Sequence, residues 1–166
     1  MKAKGWVVSP DGGRILSMAP GRFSALKLLR ADTADSIMLF EQTAPPGTET
    51  TFHLHRDSGE VAYVPRGEIT FKIGEEVTIG GASSCAFFSR GVPHAWKNTG
   101  SETGRVMFFH TPGTAGGFFE ERLDQPEGSA TAPRRMRCGS ATGGRWSGRH
   151  RSEPGYFVPG VCQPKS

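Results

Sequence analysis

The segment from Gly47 to Gly67, GTETTFHLHRDSGEVAYVPRG, places His53, His55 and Glu60 within eight residues. Imidazole and carboxylate are the donor types that hold divalent first-row metals. The spacing serves that chemistry if the chain is extended. Residues two apart on a strand project from one face with Cα atoms roughly 6.8 Å apart, so His53 and His55 converge on one ion. Arg56, Asp57, Ser58 and Gly59 make a turn, after which Glu60 opens the next strand and offers its carboxylate to the same place.

The later segment SRGVPHAWKN supplies His94 at the start of another strand, held by a turn at Gly91 and by Pro93, which restricts the backbone just before the ligand. Three neutral imidazoles and one carboxylate leave coordination positions open to water, substrate or dioxygen. One carboxylate only partly neutralises a divalent ion, so bound water becomes more acidic and an anionic enolate or phenolate oxygen is attracted. Glu60 has a second option, because a carboxylate that leaves the metal can act as a general base toward a substrate hydroxyl. Trp96, two residues after His94 on the same strand face, is either an aromatic wall beside the metal that contacts substrate or ordinary core packing. His110, at the end of a strand, reads as structural, and Cys85, in an apolar run, as a buried inert thiol.

These side chains need elements to position them. With 23 Gly and 12 Pro in 166 residues, about a fifth of the chain interrupts regular structure, which excludes long helices and coiled coils. The segments expected as strands are Trp6 to Val8, Arg14 to Met18, Ser24 to Leu29, Ser36 to Glu41, Thr51 to His55, Glu60 to Pro65, Glu68 to Ile73, Glu76 to Ile79, Ser84 to Phe88, His94 to Asn98 and Arg105 to His110. Each is rich in Val, Ile, Phe or Leu, or carries the histidines above, and is bounded by turn residues, the pattern of an all-β sandwich or barrel. Only Gly117 to Leu123, GFFEERL, reads as a helix, with two phenylalanines to cap an open barrel end. No internal repeat is visible, so one barrel is expected over residues 1–126.

The order Gly47, five residues, His53, one residue, His55, four residues, Glu60, six residues, Gly67 resembles the first signature of the cupin superfamily without a mismatch in spacing. Gly91, two residues, His94, three residues, Asn98 is similar to the end of the second signature, and residues 68–90 make the short separation of a small single-domain member. The stretches FFSRGVPHAWKNTG and TPGTAGGFFEE look most like the small quercetin dioxygenase-like cupins. Two departures touch a strand entry and no ligand: Ser89 stands where the second signature has proline, and its leading glycine is displaced to Gly80 and Gly81.

The resemblance implies a single cupin jelly-roll β-barrel with a short C-terminal helix, with His53, His55, Glu60 and His94 as metal ligands. Iron, manganese, nickel, copper and zinc all suit that donor set. It further implies a metal-dependent dioxygenase acting on a small hydroxylated or dicarbonyl compound, with Glu60 as the catalytic base. The alternatives are a non-catalytic small-molecule binding module and a redox-inert metal isomerase or hydrolase. A homodimer is expected, with the Trp6 to Val8 strand donated to a neighbour.

Charge separates the chain into two parts. Residues 1–126 carry 13 Lys and Arg against 14 Asp and Glu, whereas residues 127–166 carry 7 against 2, so the formal net charge of +4 belongs to the tail. That tail is rich in Gly, Ser, Arg and Pro and poor in aliphatic side chains, and it is expected to be disordered. The interleaved Arg, Trp and Gly of GGRWSGRHR suit contact with RNA, but a solvated extension is the expected reading and nucleic acid is not an expected partner. No apolar run is long enough to span a membrane, and the N-terminus lacks a secretory pattern, so a cytoplasmic protein is expected.

Overall fold

The computed structural model describes residues 5–123. Strands form where side chains alternate between apolar and polar. In Met38–Ala44 the buried residues are Met38, Phe40, Gln42 and Ala44, and the residues between them are less buried. In Gly104–Thr111 the inward face carries Gly104, Val106, Phe108 and His110. This period of two turns one face of each of these strands into core.

The strands in chain order are β1 (Arg14–Ala19), β2 (Arg22–Leu28), β3 (Met38–Ala44), β4 (Gly59–Arg66), β5 (Ile69–Ile73), β6 (Glu76–Gly80), β7 (Cys85–Phe88), β8 (His94–Lys97) and β9 (Gly104–Thr111). They make a six-stranded sheet in the order β1-β2-β3-β9-β4-β7 and a three-stranded sheet β6-β5-β8. The described pairings are antiparallel. Leu26, Phe40, Phe71, Phe88, Trp96 and Phe108 are among the residues filling the space between the sheets. Helix α1 (Gly117–Leu123) follows a 3-10 turn at Gly113–Gly116 and presses Phe119 onto Phe40 at a ring separation of 4.5 Å. Glu120 anchors the helix by accepting hydrogen bonds from the backbone N–H and the guanidinium of Arg30. The all-β barrel with one short helix is thus the observed architecture, and the helix has the expected bounds.

Two expected strands are corrected. Trp6 to Val8 forms no strand; Trp6 and Val7 lie 53% and 94% exposed, without the partner strand that would satisfy their backbone. Thr51 to His55 is not a regular strand either. The segment before it runs antiparallel to β8, with Glu49 opposite Lys97 and His53 opposite His94. Four residues on one side therefore match three on the other, and the extra residue is a bulge that breaks the ladder while keeping His53 against β8.

The signature glycines have a structural reason. Gly47, Gly67 and Gly91 all take positive φ. At Gly67 a Cβ would in addition lie 2.7 Å from the Gly104 Cα, so no other residue fits this β4–β5 turn without moving β9. Asn98, fully buried after β8, donates to the carbonyls of Ala44 and Glu102 at 2.7 and 2.8 Å and accepts from the Gly100 N–H at 2.9 Å. It ties the end of the His94 strand to the six-stranded sheet.

Candidate metal centre

Glu60 lies near the start of β4, between β9 and β7, directly opposite His110 on one side and Phe88 on the other. Alternation along β4 sends Glu60, Ala62 and Val64 inward. His94 enters from the three-stranded sheet and lays its ring on Phe88, with centroids 4.4 Å apart and planes 15° from parallel. His53 exchanges two backbone hydrogen bonds with His94, at 2.9 and 2.7 Å, and the His55 carbonyl accepts the Gly91 N–H at 2.8 Å. The two signature segments are therefore stitched together at the residues that face the site. Ser58 clamps the turn before Glu60, donating to the Pro112 carbonyl at 2.7 Å and lying 2.9 Å from the Thr114 hydroxyl.

The result is a cluster in which one donor atom from each of His53, His55, Glu60 and His94 lies within 4.8 Å of the others. Glu60 Oε2 is the hub, 3.0 Å from His55 Nε2 and 3.0 Å from His94 Nε2. Neighbouring ligands set at right angles around an ion roughly 2.1 Å away are about 3.0 Å apart, so the donor set has the size of a transition-metal site.

The protonation pattern is written in the backbone. His53 Nδ1 lies 2.7 Å from the Thr51 carbonyl oxygen, and His94 Nδ1 lies 2.9 Å from the Val92 carbonyl oxygen. A carbonyl only accepts, so in the neutral ring each Nδ1 carries the proton and each Nε2 presents a lone pair. The bare His94 Nε2 then faces the anionic Glu60 Oε2, an arrangement that repels unless a bridging proton or a metal ion sits between them. The residues present fit a divalent metal for this reason.

Electrostatics agrees. Burial pushes the His53 imidazole down to about 4, helped by the neighbouring His94 and opposed by its hydrogen bond to Thr51. Burial likewise pushes His110 down to about 4, against the opposing pull of Glu60. For Glu60, burial alone would raise the carboxyl, but hydrogen bonding with His55 and His94 and the charges around it reverse this and hold it well below the usual carboxylate range. At neutral pH His53 is thus unprotonated and Glu60 ionised, the forms that bind metals.

The structure brings His53, His55, Glu60 and His94 together as the spacing requires. Trp96 is buried on the barrel side of β8, packed on Phe108 at 5.7 Å with the Arg22 guanidinium over its ring at 5.5 Å. These neighbours are a core ring and a cation, which accounts for its packing. Cys85 is exposed on β7, not buried, because the inward positions of that strand go to Ala86 and Phe88. His110 is the residue whose place the sequence reading did not foresee: its Nε2 lies 4.0 Å from Glu60 Oε1 and its ring 4.9 Å from that of His55. Alternation along β9 put it inward with Phe108, but its pairing with Glu60 depends on a strand register set 50 residues away in sequence.

Residues 40–110 match the family model described as the cupin domain. The barrel has the cupin jelly-roll fold. Among solved structures it resembles a protein described as a predicted oxalate decarboxylase from Thermotoga maritima, with 20% identity, a TM-score of 0.58, and coverage of 64% of this chain and 98% of that one. An RmlC-like cupin from Shewanella frigidimarina shares 17% identity at a TM-score of 0.56, over 66% of this chain and 92% of its own. KdgF from Halomonas sp. shares 14% identity at a TM-score of 0.56, over 63% and 93%. At these identities the likeness is one of fold. No curated protein sequence matches the chain. Among the described residues, no helix is long and apolar enough to cross a membrane.

Proposed function

We propose that this protein binds a divalent metal through His53, His55, Glu60 and His94 and acts as a metal-dependent dioxygenase on a small hydroxylated or dicarbonyl compound. The observation that carries the metal reading is the 3.0 Å approach of Glu60 Oε2 to a His94 Nε2 whose proton is held at the opposite ring nitrogen by Val92. When bound, the metal would act as a Lewis acid and electron-transfer partner for substrate and dioxygen. The reaction class rests on the resemblance of FFSRGVPHAWKNTG and TPGTAGGFFEE to quercetin dioxygenase-like cupins.

The chain's own contribution is orientation, exclusion of water and placement of a proton acceptor. Phe88, stacked on His94, and Phe40, stacked on His110, wall the polar cluster with apolar surface. Glu60 presents Oε2 to the imidazoles and leaves Oε1 as the oxygen available to a substrate hydroxyl. Trp96, two residues after His94 on β8, supplies an aromatic surface for substrate. The exposed Trp6 and Val7 support a homodimer in which this arm pairs with a neighbour.

The test is to purify the protein without a histidine tag, measure bound metal by elemental analysis, and follow oxygen uptake by iron-, manganese- and nickel-loaded protein with flavonols and 1,3-diketones. Uptake with at least one pair is expected. Bound metal with no uptake would overturn the oxygenase reading and leave a binding module or redox-inert enzyme.

A further inference from the structure

His110 is 2% exposed, and its Nδ1 has no hydrogen-bond partner among the described residues. An unpartnered ring nitrogen in a core costs about 1–3 kcal/mol, and a phenylalanine or leucine would pack against Phe40 and Met38 without that cost. The ring lies nearly parallel to Phe40, at 5.8 Å and 13°, so its shape alone does not call for a polar residue. What the imidazole adds is Nε2, directed at Glu60 Oε1 from 4.0 Å. With no acceptor at Nδ1, the ring proton belongs on Nε2, where the carboxylate attracts it.

Glu60 is consequently held from two sides. Oε2 faces His55 and His94, while Oε1 faces His110. We infer that His110 is a positioning residue that holds Glu60 Oε1 away from the ion, so that the carboxylate serves the metal through Oε2 alone and a coordination position stays open for substrate. This rests on the metal reading above and extends it to a residue that neither signature contains. At 4.0 Å the contact is between a ring N–H dipole and a charge, and about 1 Å of side-chain adjustment converts it to a hydrogen bond. Without His110, Oε1 is free to swing inward and occupy the open position.

Cobalt(II) titration of the full chain by calorimetry, together with the visible absorption of the cobalt-loaded protein, tests this in wild type, His110→Phe and His110→Gln. Phenylalanine keeps the ring and its stacking but removes the donor, whereas glutamine keeps an N–H near the Nε2 position and gives up the ring. The expectation is a cobalt affinity about 10- to 100-fold weaker in His110→Phe, with a changed absorption spectrum, and recovery of both toward wild type in His110→Gln. A purely structural role predicts the reverse order, and that order, or unchanged affinity and spectrum in both variants, overturns the proposal. Wild type that binds no cobalt overturns the metal reading and this inference with it. Melting of the metal-free variants establishes that they fold, and His110→Leu replaces His110→Phe should the latter not fold.

Discussion

Glu60 and His94 face each other from opposite sheets with Oε2 and Nε2 3.0 Å apart, while the far side of the imidazole is fixed by the Val92 carbonyl at 2.9 Å. This relationship links sequence to chemistry in one step. Pro93 follows Val92, His94 opens β8, and the carbonyl two residues before the ligand decides which ring nitrogen is bare. A lone pair aimed at a carboxylate inside a protein is stable when a cation joins them.

Metal removal is therefore expected to destabilise the barrel. At free metal near 100 times the dissociation constant, binding adds about 2.7 kcal/mol, so chelation lowers the melting temperature by something on the order of 10 °C. Glu60→Gln keeps the shape and removes the charge, and it is expected to weaken nickel or cobalt binding by more than about a hundredfold. Calorimetric titration and differential scanning calorimetry check both. A melting temperature indifferent to chelator and to this substitution would remove the metal from the fold's energetics.

The metal-free protein is expected to lose stability as pH falls from about 6.5 to about 4. His53 and His110 take up protons near 6.5 when unfolded but only near 4 when folded, so the unfolded state binds more protons across that window and stability declines with falling pH. Each contributes about 3 kcal/mol above the window, with the joint loss smaller than the sum because the rings interact. The depressed Glu60 carboxyl adds further loss below about 4.5, with the same sign. Urea unfolding of chelated protein at pH 7, 5.5 and 4.5 measures the slope, and His110→Phe should flatten it.

What was legible beforehand follows from what is local. The His53, His55, Glu60 and His94 spacing, the β4 and β9 alternation and the Gly117–Leu123 helix depend on neighbours a few residues apart, and the structure reproduces those placements. The bulge between Glu49 and His53 depends on how that segment meets β8, and His110 joins the site through the β4–β9 register; neither pairing is encoded within a single segment. Cys85 was misplaced by one face because a four-residue strand at a sheet edge has too few alternations to fix its phase.

The strand entry that departs from the family signature makes a separate prediction. Ser83 has φ of 70° in the turn before β7, a conformation that disfavours side chains with a Cβ, and it follows the displaced glycines Gly80 and Gly81. Ser83→Gly is expected to stabilise the protein by about 0.5–1 kcal/mol, the balance of relieved strain over added unfolded-state freedom. Gly67→Ala, at φ of 88° with its Cβ 2.7 Å from the Gly104 Cα, is expected to cost about 2–4 kcal/mol. Denaturant midpoints for the two variants should move in opposite directions.

Asn98 tests whether the ligand strand is held from its far end. Its amide joins the carbonyls of Ala44 and Glu102 and the N–H of Gly100, while its backbone pairs with Gly47 and Thr48 at the start of the segment that leads to His53. Asn98→Ala strands two carbonyls and an N–H around a buried site, at an expected cost of about 2–4 kcal/mol. Asn98→Asp preserves the acceptor for Gly100 but sets a carboxylate against two carbonyls, so it should be at least as damaging. Because the same residue steadies both β8 and the 47–53 segment, loss of stability should come with weaker cobalt binding, about tenfold in the folded fraction. Amide hydrogen exchange locates the effect: protection should fall first at His53 and His94, whose N–H groups bond each other's carbonyls, while β1 and β2 keep theirs. Uniform loss across both sheets would instead show that Asn98 stabilises the barrel as a whole and has no particular hold on the site.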